Sequence, residues 1–574
     1  MNSRRLTWRV VLAATGMMAA LATSTPAGAG LKVWTVTGTQ RVLRDDQPPL
    51  KAPKEVELFA ARNEWESFQI LLRCDKPVAS ISLEPGTLRG PGNAEIHSRL
   101  AALYRMHQME IRTPSHRNSS FTPGWYPDPL VPLTHSLTGE PLEGGRIKSA
   151  PLDLPADQTH GFLVDLYVPA DAAPGVYKTV YHVLTLEGQT IEVPVTLTVW
   201  NFALPRVPAL HTSLGSPSSR LRKYYRDQAK KGKQSEPSRW GLVEAQVDDL
   251  LTKHRINATP RSDLLVPTET DGQFTFTPDQ VSALKTFIAR QPINAICVPH
   301  PRSAVKDPLA QKERLGKWLK AFDALSAALG REIVFYTYLK DEPNDAEAYE
   351  YVRTWGKAVR QAGSVVKVLV VEQCDTQNAD WGDLYGAVDI WCPLFCLFKE
   401  EPTRERQKAG ETIWTYTALC QGKTPTPWWQ IDFPLTNYRA PAWIAWRYRV
   451  RGLLYWGGLC YWDQVDDPWN QAWTYGRPKD GKGKGLVYNG EGVLAYPARA
   501  VGYDGLAPSL RLKALRDGIE DYDYLALLEG MGLAEQAEKI VLPLAESWTR
   551  WSGDAVEYQK ARSALAELIV KGNK

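Results

Sequence analysis

The sequence predicts a multidomain α/β plus β protein, in which an N-terminal antiparallel β-sandwich is followed by a (β/α)8 TIM-type barrel and C-terminal helices. Three observations lead to this prediction. The front of the chain has short β-branched segments with a period of two, the middle alternates apolar runs with helical segments, and the end has amphipathic helical spacing. These patterns predict four parts: a signal peptide (1–29), the sandwich (30–205), the barrel (206–530) and a helical extension (531–574).

The sandwich is predicted because its strands are short, rich in β-branched and aromatic residues, and bounded by Pro, Gly or Asp. The strands are expected at 55–59, 67–72, 162–168, 175–186 and 190–199. Residues 63–66 (Asn-Glu-Trp-Glu) are interpreted as the start of a strand with a core Trp rather than as a site. The Pro-rich segment 124–129 either packs on the next domain or borders its cleft, and the sequence leaves both open.

The barrel is predicted from eight short apolar runs, most of which are followed by helical spacing. Its strands are expected at 209–214, 256–259, 293–298, 333–339, 365–371, 388–392, 412–417 and 452–456. The clearest helices are expected at 240–254, 278–290, 308–329, 345–361 and 439–450, and a helix at 510–528 would follow the eighth strand. Helical spacing is poor after the fifth strand, so the sequence predicts seven or eight strand–helix units.

Composition excludes several classes of protein. Of the 574 residues, 44% are hydrophobic and 23% are charged, which excludes a disordered chain. The net charge of +4 comes without a basic tract, so nucleic acid is not expected as a ligand. The seven Cys form no CxxC pair, so neither a disulfide framework nor a zinc site is predicted. No metal or other cofactor is expected.

The first 29 residues are typical of a secretory signal. Arg4, Arg5 and Arg9 precede the apolar run 10–22, and small residues at 27–29 suit cleavage. The sequence therefore predicts a secreted or periplasmic protein. No later apolar run reaches about 18 residues, so no membrane span is predicted.

The predicted barrel gathers carboxylates and aromatic rings on one rim, because the chemistry of such barrels lies at the carboxyl ends of the strands. The chain has 21 Trp, and Trp rings stack on flat apolar faces such as those of sugars. A glycan or glycoconjugate is therefore the expected partner. Besides the acids Asp341, Glu342, Glu372 and Asp463, the rim candidates are His300, expected to bind a sugar hydroxyl, and the aromatic residues Trp391, Tyr416, Trp456 and Trp462.

The sharpest local signal is Asp341-Glu342-Pro343, directly after the fourth predicted strand. Adjacent strand residues point to opposite faces, so two carboxylates that serve one site require the chain to turn there. Pro343 is expected to restrict Glu342 to extended backbone and to end the strand. Two neighbouring acids disfavour double ionisation, so a shared proton at a raised apparent pKa is expected, which suits a general acid.

Neighbouring carboxylates favour substrate-assisted hydrolysis, because the usual retaining pair stands about 5–5.5 Å apart across the glycosidic bond. In that scheme Glu342 protonates the leaving oxygen. Asp341 orients a 2-acetamido group, whose carbonyl oxygen attacks the anomeric carbon. Two alternatives stay open. A sugar without an acetamido group would need Glu372 or Asp463 as second carboxylate, and a glycan-binding protein would need no catalysis at all.

Several motifs resemble glycoside hydrolase family 123, and the likeness extends over nearly the whole mature chain. The motifs are Tyr-Thr-Tyr-Leu-Lys-Asp-Glu-Pro at 336–343, Leu-Tyr-Trp at 454–456, Gly-Glu-Gly-Val-Leu-Ala-Tyr-Pro at 490–497, and the segments 508–512, 515–522, 61–64, 68–69 and 174–177. The resemblance implies β-N-acetylgalactosaminidase activity by the substrate-assisted route. It also implies that Glu342 is the acid/base and Asp341 the assisting residue. Tyr338 lies in the first motif and is a candidate substrate-binding residue.

Overall fold

The computed structural model of the protein describes residues 30–419, 421–476 and 485–572. The predicted signal peptide lies outside the described residues. In the part of the chain that is described, no helix is long and apolar enough to cross a membrane.

The front of the chain forms two facing sheets, as predicted. Their strands are β1 (Lys32–Thr37), β2 (Val56–Arg62), β3 (Glu64–Arg73), β4 (Val78–Glu84), β5 (Leu88–Arg89), β6 (Glu95–Ile96), β7 (Ala101–Ile111), β8 (Gly124–Pro132), β9 (Leu152–Leu154), β10 (His160–Val168), β11 (Gly175–Leu184) and β12 (Thr190–Ala203). One sheet has the order β1-β3-β10-β7-β8, and the other β2-β12-β11-β4-β9 with β5 and β6 on its margin. The pairing is antiparallel except between β2 and β12. Alternate side chains of the two sheets form a common apolar core.

The middle of the chain alternates parallel strands with helices. The strands are β13 (His211–Ser213), a small hairpin of β14 (Thr268–Thr270) and β15 (Gln273–Thr275), then β16 (Ala295–Val298), β17 (Val334–Asp341), β18 (Lys367–Val371), β19 (Ile390–Trp391), β20 (Thr412–Thr417) and β21 (Gly452–Tyr455). The helices are α1 (Pro217–Lys230), α2 (Trp240–Lys253), α3 (Pro278–Arg290), α4 (Lys312–Leu329), α5 (Ala346–Gln361), α6 (Glu400–Lys408), α7 (Thr436–Arg447) and α8 (Leu510–Gly530).

The end of the chain adds short hairpins and two helices. These elements are β22 (Trp473–Gly476), β23 (Val487–Asn489), β24 (Ala495–Pro497), β25 (Leu506–Pro508), β26 (Ala545–Ser547), β27 (Arg550–Trp551), α9 (Ala534–Val541) and α10 (Ala555–Gly572).

The predicted eightfold barrel is replaced by a nearly closed barrel of seven parallel strands among the described residues, in the order β13-β21-β20-β19-β18-β17-β16. The expected second strand, 256–259, forms no backbone ladder. Instead, the Asn257 side chain donates to the carbonyl oxygen of Thr212 (3.0 Å) and to Oδ1 of Asn294 (2.8 Å). Side-chain amides therefore bridge the gap between β13 and β16, where the prediction placed a strand.

The segment between β18 and β19 also differs from a regular barrel. It contains a short 3-10 turn, Ala379–Trp381, and no α-helix. This agrees with the poor helical spacing after the fifth predicted strand.

Helix α8 lies at the centre of the molecule and is buried along most of its length. Its charged residues bind carboxylates of the front sheets. Arg511 contacts both oxygens of Asp128 (2.8 and 2.9 Å), while Lys513 and Arg516 share Asp165. Asp128 belongs to the Pro-rich segment 124–129, which therefore packs on the barrel side. These ion pairs are almost completely buried, so they fix the sandwich against α8.

The C-terminal helix α10 adds a second set of buried ion pairs. Arg562 contacts Glu64 (2.8 Å) and Glu66 (2.9 Å) of β3, and Asp521 (2.5 Å) of α8. Between the two glutamates, Trp65 is only half-buried and lies 5.1 Å from Tyr167, measured between ring centroids. The segment 63–66 is therefore the start of a strand, as expected, but its glutamates and not its Trp are in the interior.

Candidate active site

The inside of the barrel is filled by side chains from six of its strands, β16 to β21. The cluster includes Tyr336 of β17, Leu369 of β18, Ile390 of β19, Trp414 of β20 and Leu454 of β21. The indole ring of Trp414 packs directly on Gly452 of the neighbouring strand, where a Cβ atom would lie only 2.3 Å from the ring. Aromatic side chains therefore fill the barrel interior beneath the carboxyl ends of its strands.

A bulge in β17 decides which residue of the key motif enters the barrel. Tyr338 pairs with Leu369, whereas Lys340 already pairs with Val370 and Asp341 with Val371. One extra residue, Leu339, is thus inserted into β17, and the inward and outward alternation shifts by one. Leu369 and Val371 both point inward, so Tyr338 and Asp341 point inward as well. A bulge beside an active site commonly re-aims a side chain in this way.

Asp341 and Tyr338 form a hydrogen-bonded pair at the mouth of the barrel. The Tyr338 hydroxyl donates to Oδ1 of Asp341 at 2.8 Å. Burial, and then the neighbouring Asp341, raises the pKa of Tyr338 far above its ordinary value, so the hydroxyl keeps its proton. Asp341 itself is exposed. Its carboxylate is therefore oriented on one oxygen, while the other remains available to a ligand.

Glu342 sits in a strained turn immediately after β17. Its φ of +38° lies in the left-handed region, so the expectation that Pro343 would hold it extended is wrong. The backbone N–H of Glu342 still donates to the carbonyl oxygen of Val371 (3.2 Å), which pins the turn. The Tyr416 hydroxyl donates to Oε1 of Glu342. A non-glycine residue in this region costs about 1–2 kcal/mol, and such strain is often found at functional sites.

Tyr416 plays the same part for Glu342 that Tyr338 plays for Asp341. It is an inward residue of β20, so the two acids are oriented from different strands of the barrel. Burial, and then the hydrogen bond with Glu342, raises the pKa of Tyr416 far above its ordinary value. Both tyrosines are therefore permanent hydrogen-bond donors to the carboxylates.

Two clefts lie beside the tyrosines that orient these acids; Glu342 lines one of them, and Asp341 lines neither. One, of about 420 Å³, is lined by Tyr338, Trp456, Ser213 and the segment 257–260 among others. The other, of about 220 Å³, is lined by Glu342, Glu372 and Tyr416. Volumes of several hundred Å³ are typical of small-molecule sites. The aromatic wall of the larger cleft provides a face on which a sugar ring can stack.

Glu372 follows β18 and shares the smaller cleft with Glu342. Only 7% of its surface is exposed, and Oε1 accepts the backbone N–H of Gln373 at 2.9 Å. Burial, and to a smaller extent the charges of Asp375 and Glu342, raises the pKa of Glu372 to about 7. At neutral pH a large share of this carboxyl is therefore protonated, which weakens it as a nucleophile.

Other candidates from the sequence lie elsewhere. Trp391 points outward from β19, is buried, and donates through Nε1 to Glu411 (2.7 Å), so it lines neither cleft. Trp462 is buried against Tyr224 of α1. Strand parity and loop packing, which decide where these two side chains lie, are not visible in the sequence.

His300 and Asp463 are also placed away from the acids. His300 lies outside the barrel wall, with Nε2 at 3.1 Å from the carbonyl oxygen of Leu339, so it does not line the clefts beside Asp341. Asp463 pairs with Lys223 (2.9 Å) and Arg220 (3.5 Å) on α1.

In the described residues, no cluster of three or more His, Cys, Asp or Glu has the arrangement of a metal site.

Glu491 is a site residue that the sequence reasoning missed. It is fully buried beneath Trp456, accepts the Trp456 indole N–H at 2.5 Å, and also contacts Tyr455 (3.2 Å) and Gln430. Burial raises the pKa of Glu491 to about 7. The Gly-Glu-Gly sequence at 490–492 was a signal, since an acid between two glycines that both adopt positive φ indicates a tight turn with a fixed carboxylate.

Comparison with known proteins gives a family match for part of the chain. Residues 306–528 match the family model described as "Glycoside hydrolase 123, catalytic domain". This segment contains β17 to β21, most of α8, both acids and both orienting tyrosines. No curated protein matches the chain. The resemblance found in the motifs is therefore confirmed for this segment.

Among solved structures, a family 123 glycoside hydrolase from Clostridium perfringens, described in connection with glycolipid glycan hydrolysis, superposes with a TM-score of 0.62. It shares 14% identity, over 94% of this chain and 97% of that chain, which shows a common fold. Two other structures superpose too loosely on this chain to show a common fold. They are a family 2 member from Bacteroides cellulosilyticus (TM-score 0.23, 10% identity, 74% of this chain and 46% of that chain) and a Bacteroides ovatus GH5 xyloglucanase (0.25, 9%, 81% and 98%).

Proposed function

We propose that this protein, whose residues 306–528 match the glycoside hydrolase 123 catalytic-domain model, is a retaining glycosidase that removes terminal 2-acetamido-2-deoxy sugars, in the first place β-N-acetylgalactosamine. The observation that carries the proposal is the pair Asp341 and Glu342 at the mouth of the barrel, each oriented by its own tyrosine. The Arg-rich start and apolar run of residues 1–29 support export to the periplasm or the medium.

In the first step Glu342 gives its proton to the glycosidic oxygen, and the bond from that oxygen to the anomeric carbon breaks. Since Tyr416 bonds to Oε1 of Glu342, Oε2 is the oxygen that carries the proton. The acetamido carbonyl oxygen of the substrate forms a new bond to the same carbon from the opposite face. Oδ2 of Asp341 accepts the acetamido N–H and stabilises the positive charge of the cyclic intermediate.

In the second step the roles reverse. The Glu342 carboxylate takes a proton from water, whose oxygen attacks the anomeric carbon and breaks its bond to the carbonyl oxygen. Two inversions give net retention. Trp456, held by Glu491, offers a ring for the sugar face in the larger cleft.

The direct test of this mechanism is the substitution Asp341→Asn. Asparagine keeps the shape but loses the negative charge, so stabilisation of the intermediate is lost. We expect kcat on an aryl β-N-acetylgalactosaminide to fall roughly 10²–10³-fold, as when one charge-stabilising group is removed from an active site. Asp380→Asn, an exposed residue in the 3-10 turn after β18, is the control and should leave kcat unchanged. A variant Asp341→Asn with full activity would exclude the assisted route.

A second candidate function keeps the fold but uses Glu372. Its support is the shared cleft of Glu342 and Glu372. In that case the protein acts on a sugar without an acetamido group, and Glu372 must be ionised to serve as nucleophile or base. Its pKa of about 7 argues against this role at neutral pH.

Glu372→Gln separates the two functions. If the assisted route operates, the variant keeps most of its activity on the acetamido substrate, and if Glu372 is the nucleophile, activity is lost.

The stability of the Glu372→Gln variant provides an independent check. The pKa of Glu372 is about 7 in the folded protein, which is higher than in the unfolded chain. The protonated carboxyl of Glu372 therefore contributes fully to the stability of the fold below the unfolded pKa, and this contribution is lost as pH rises through 7. Relative to wild type, the variant should gain up to roughly 3 kcal/mol of unfolding free energy between pH 4.5 and 8.

A further inference from the structure

The bulge in β17 is held from outside the barrel by a histidine. Strand β16 ends at Val298, where it pairs with Thr337, so the last part of β17 has no backbone partner on that side. His300 follows directly and takes the place of the missing strand. Its Nε2 atom lies 3.1 Å from the carbonyl oxygen of Leu339, the inserted residue of the bulge.

The ring of His300 is fixed in one orientation and one tautomer by its neighbours. The Nδ1 atom accepts the backbone N–H of Arg302 at 3.0 Å, so the ring proton is on Nε2 and is donated to Leu339. The hydroxyl of Tyr351 lies 3.1 Å from the same nitrogen, and the ring packs against Trp355. Burial lowers the pKa of His300, which keeps the ring neutral.

Lys340 is the residue that would point into the barrel if β17 had no bulge. It points outward, and its Nζ atom lies 5.9 Å from the centre of the Tyr351 ring, on the same side as His300. In a regular strand the alternation after Tyr338 would send Lys340 into the barrel and Asp341 outward. Because of the bulge, the carboxylate of Asp341 lies at the mouth of the barrel instead of the ammonium group of Lys340.

We propose that His300 is a positioning residue, whose Nε2–H bond to the Leu339 carbonyl keeps the β17 bulge in register and so keeps Asp341, and not Lys340, in the active site. The consequence for turnover rests on the proposed function of Asp341. His300 touches neither the acids nor the clefts beside them, so its whole effect passes through the strand.

The test compares three variants that differ in the hydrogen bond. His300→Phe keeps the ring but has no donor, and His300→Asn is too short to reach Leu339. His300→Gln can place an amide N–H near the position of Nε2. With an aryl β-N-acetylgalactosaminide, we expect kcat of the Phe and Asn variants to fall by at least roughly 100-fold, as when a charge-stabilising group is removed from an active site, with little change in KM.

The Gln variant should recover most of the wild-type kcat, which a merely space-filling role would not predict. Lys306→Ala is the matched control, because Lys306 is exposed in the same loop after β16, and its kcat should equal that of wild type. Equal activity of the Phe, Asn and Gln variants would overturn the proposal.

Crystal structures separate this proposal from the proposed function. The register of β17 can be read without a substrate, so it decides the role of His300 even if wild type cleaves no acetamido sugar. We expect Lys340 to take the inward position in the Phe or Asn variant and Asp341 to keep it in the Gln variant. An unchanged bulge in all three variants would contradict the inference.

Discussion

Glu342→Gln is expected to lower kcat on a glycoside with a poor leaving group by as much as about 10⁴-fold, the upper range for loss of a general acid. Glutamine keeps the hydrogen bond from Tyr416 but has no proton to give to the leaving oxygen. The loss should be much smaller with a dinitrophenyl glycoside, whose leaving group departs without a proton. The measurement is kcat on a series of aryl β-N-acetylgalactosaminides with leaving groups of increasing pKa.

Glu332→Gln provides the control for this experiment. Glu332 is exposed and lies just before the same strand, at the end opposite to the active site. Its substitution changes the same functional group and the same net charge, so kcat should stay at the wild-type value for every leaving group. If Glu342→Gln lost activity equally on all leaving groups, its role as proton donor would be excluded.

Arg562→Ala is expected to lower the unfolding free energy by about 3–5 kcal/mol, because it leaves buried carboxylates without their cation. Arg562 contacts Glu64, Glu66 and Asp521, and all of these side chains are almost completely buried. Urea unfolding followed by tryptophan fluorescence measures the loss. Lys560→Ala, an exposed position on the same helix, should change the unfolding free energy by less than about 0.5 kcal/mol.

The pH dependence of this loss has a definite sign. Burial raises the pKa of Glu64 to about 7 even beside Arg562, and removal of the guanidinium should raise it further. The protonated carboxyl stabilises the folded variant at low pH, and this contribution is lost as pH rises through the folded pKa. The difference from wild type should therefore be larger at pH 8 than at pH 6. A difference that shrinks with rising pH would show that the carboxylates find other partners.

The place of Asp341 and Glu342 could be predicted because it depends on local pattern. An apolar run that ends in two acids marks the carboxyl end of a strand, and that end of a barrel carries the chemistry. The alternation of apolar runs and helical spacing was also sufficient to predict parallel strands from 293 to 456. Which way each side chain points was predictable only where the strand is regular.

The remaining features depend on contacts between distant parts of the chain. The carbonyl oxygen of Leu339 in the bulge contacts His300, which lies in the loop after the preceding strand, and no property of residues 336–343 reveals this contact. The missing ladder at 256–259 follows from the side-chain amides of Asn257 and Asn294. Trp391 is of a residue type that stacks on sugars, but its position in the alternation of β19 directs its side chain toward Glu411. In each case tertiary contacts outweigh the local pattern.

The most direct measurement compares two aryl β-galactosides that share one leaving group and differ only at carbon 2, where one carries an acetamido group and the other a hydroxyl. Since the acetamido oxygen is the proposed nucleophile, the first should be cleaved by wild type with the β-anomer as initial product, and the second should resist cleavage. Equal cleavage of both glycosides, or cleavage of the hydroxyl compound alone, would contradict the assignment of Asp341 and Glu342.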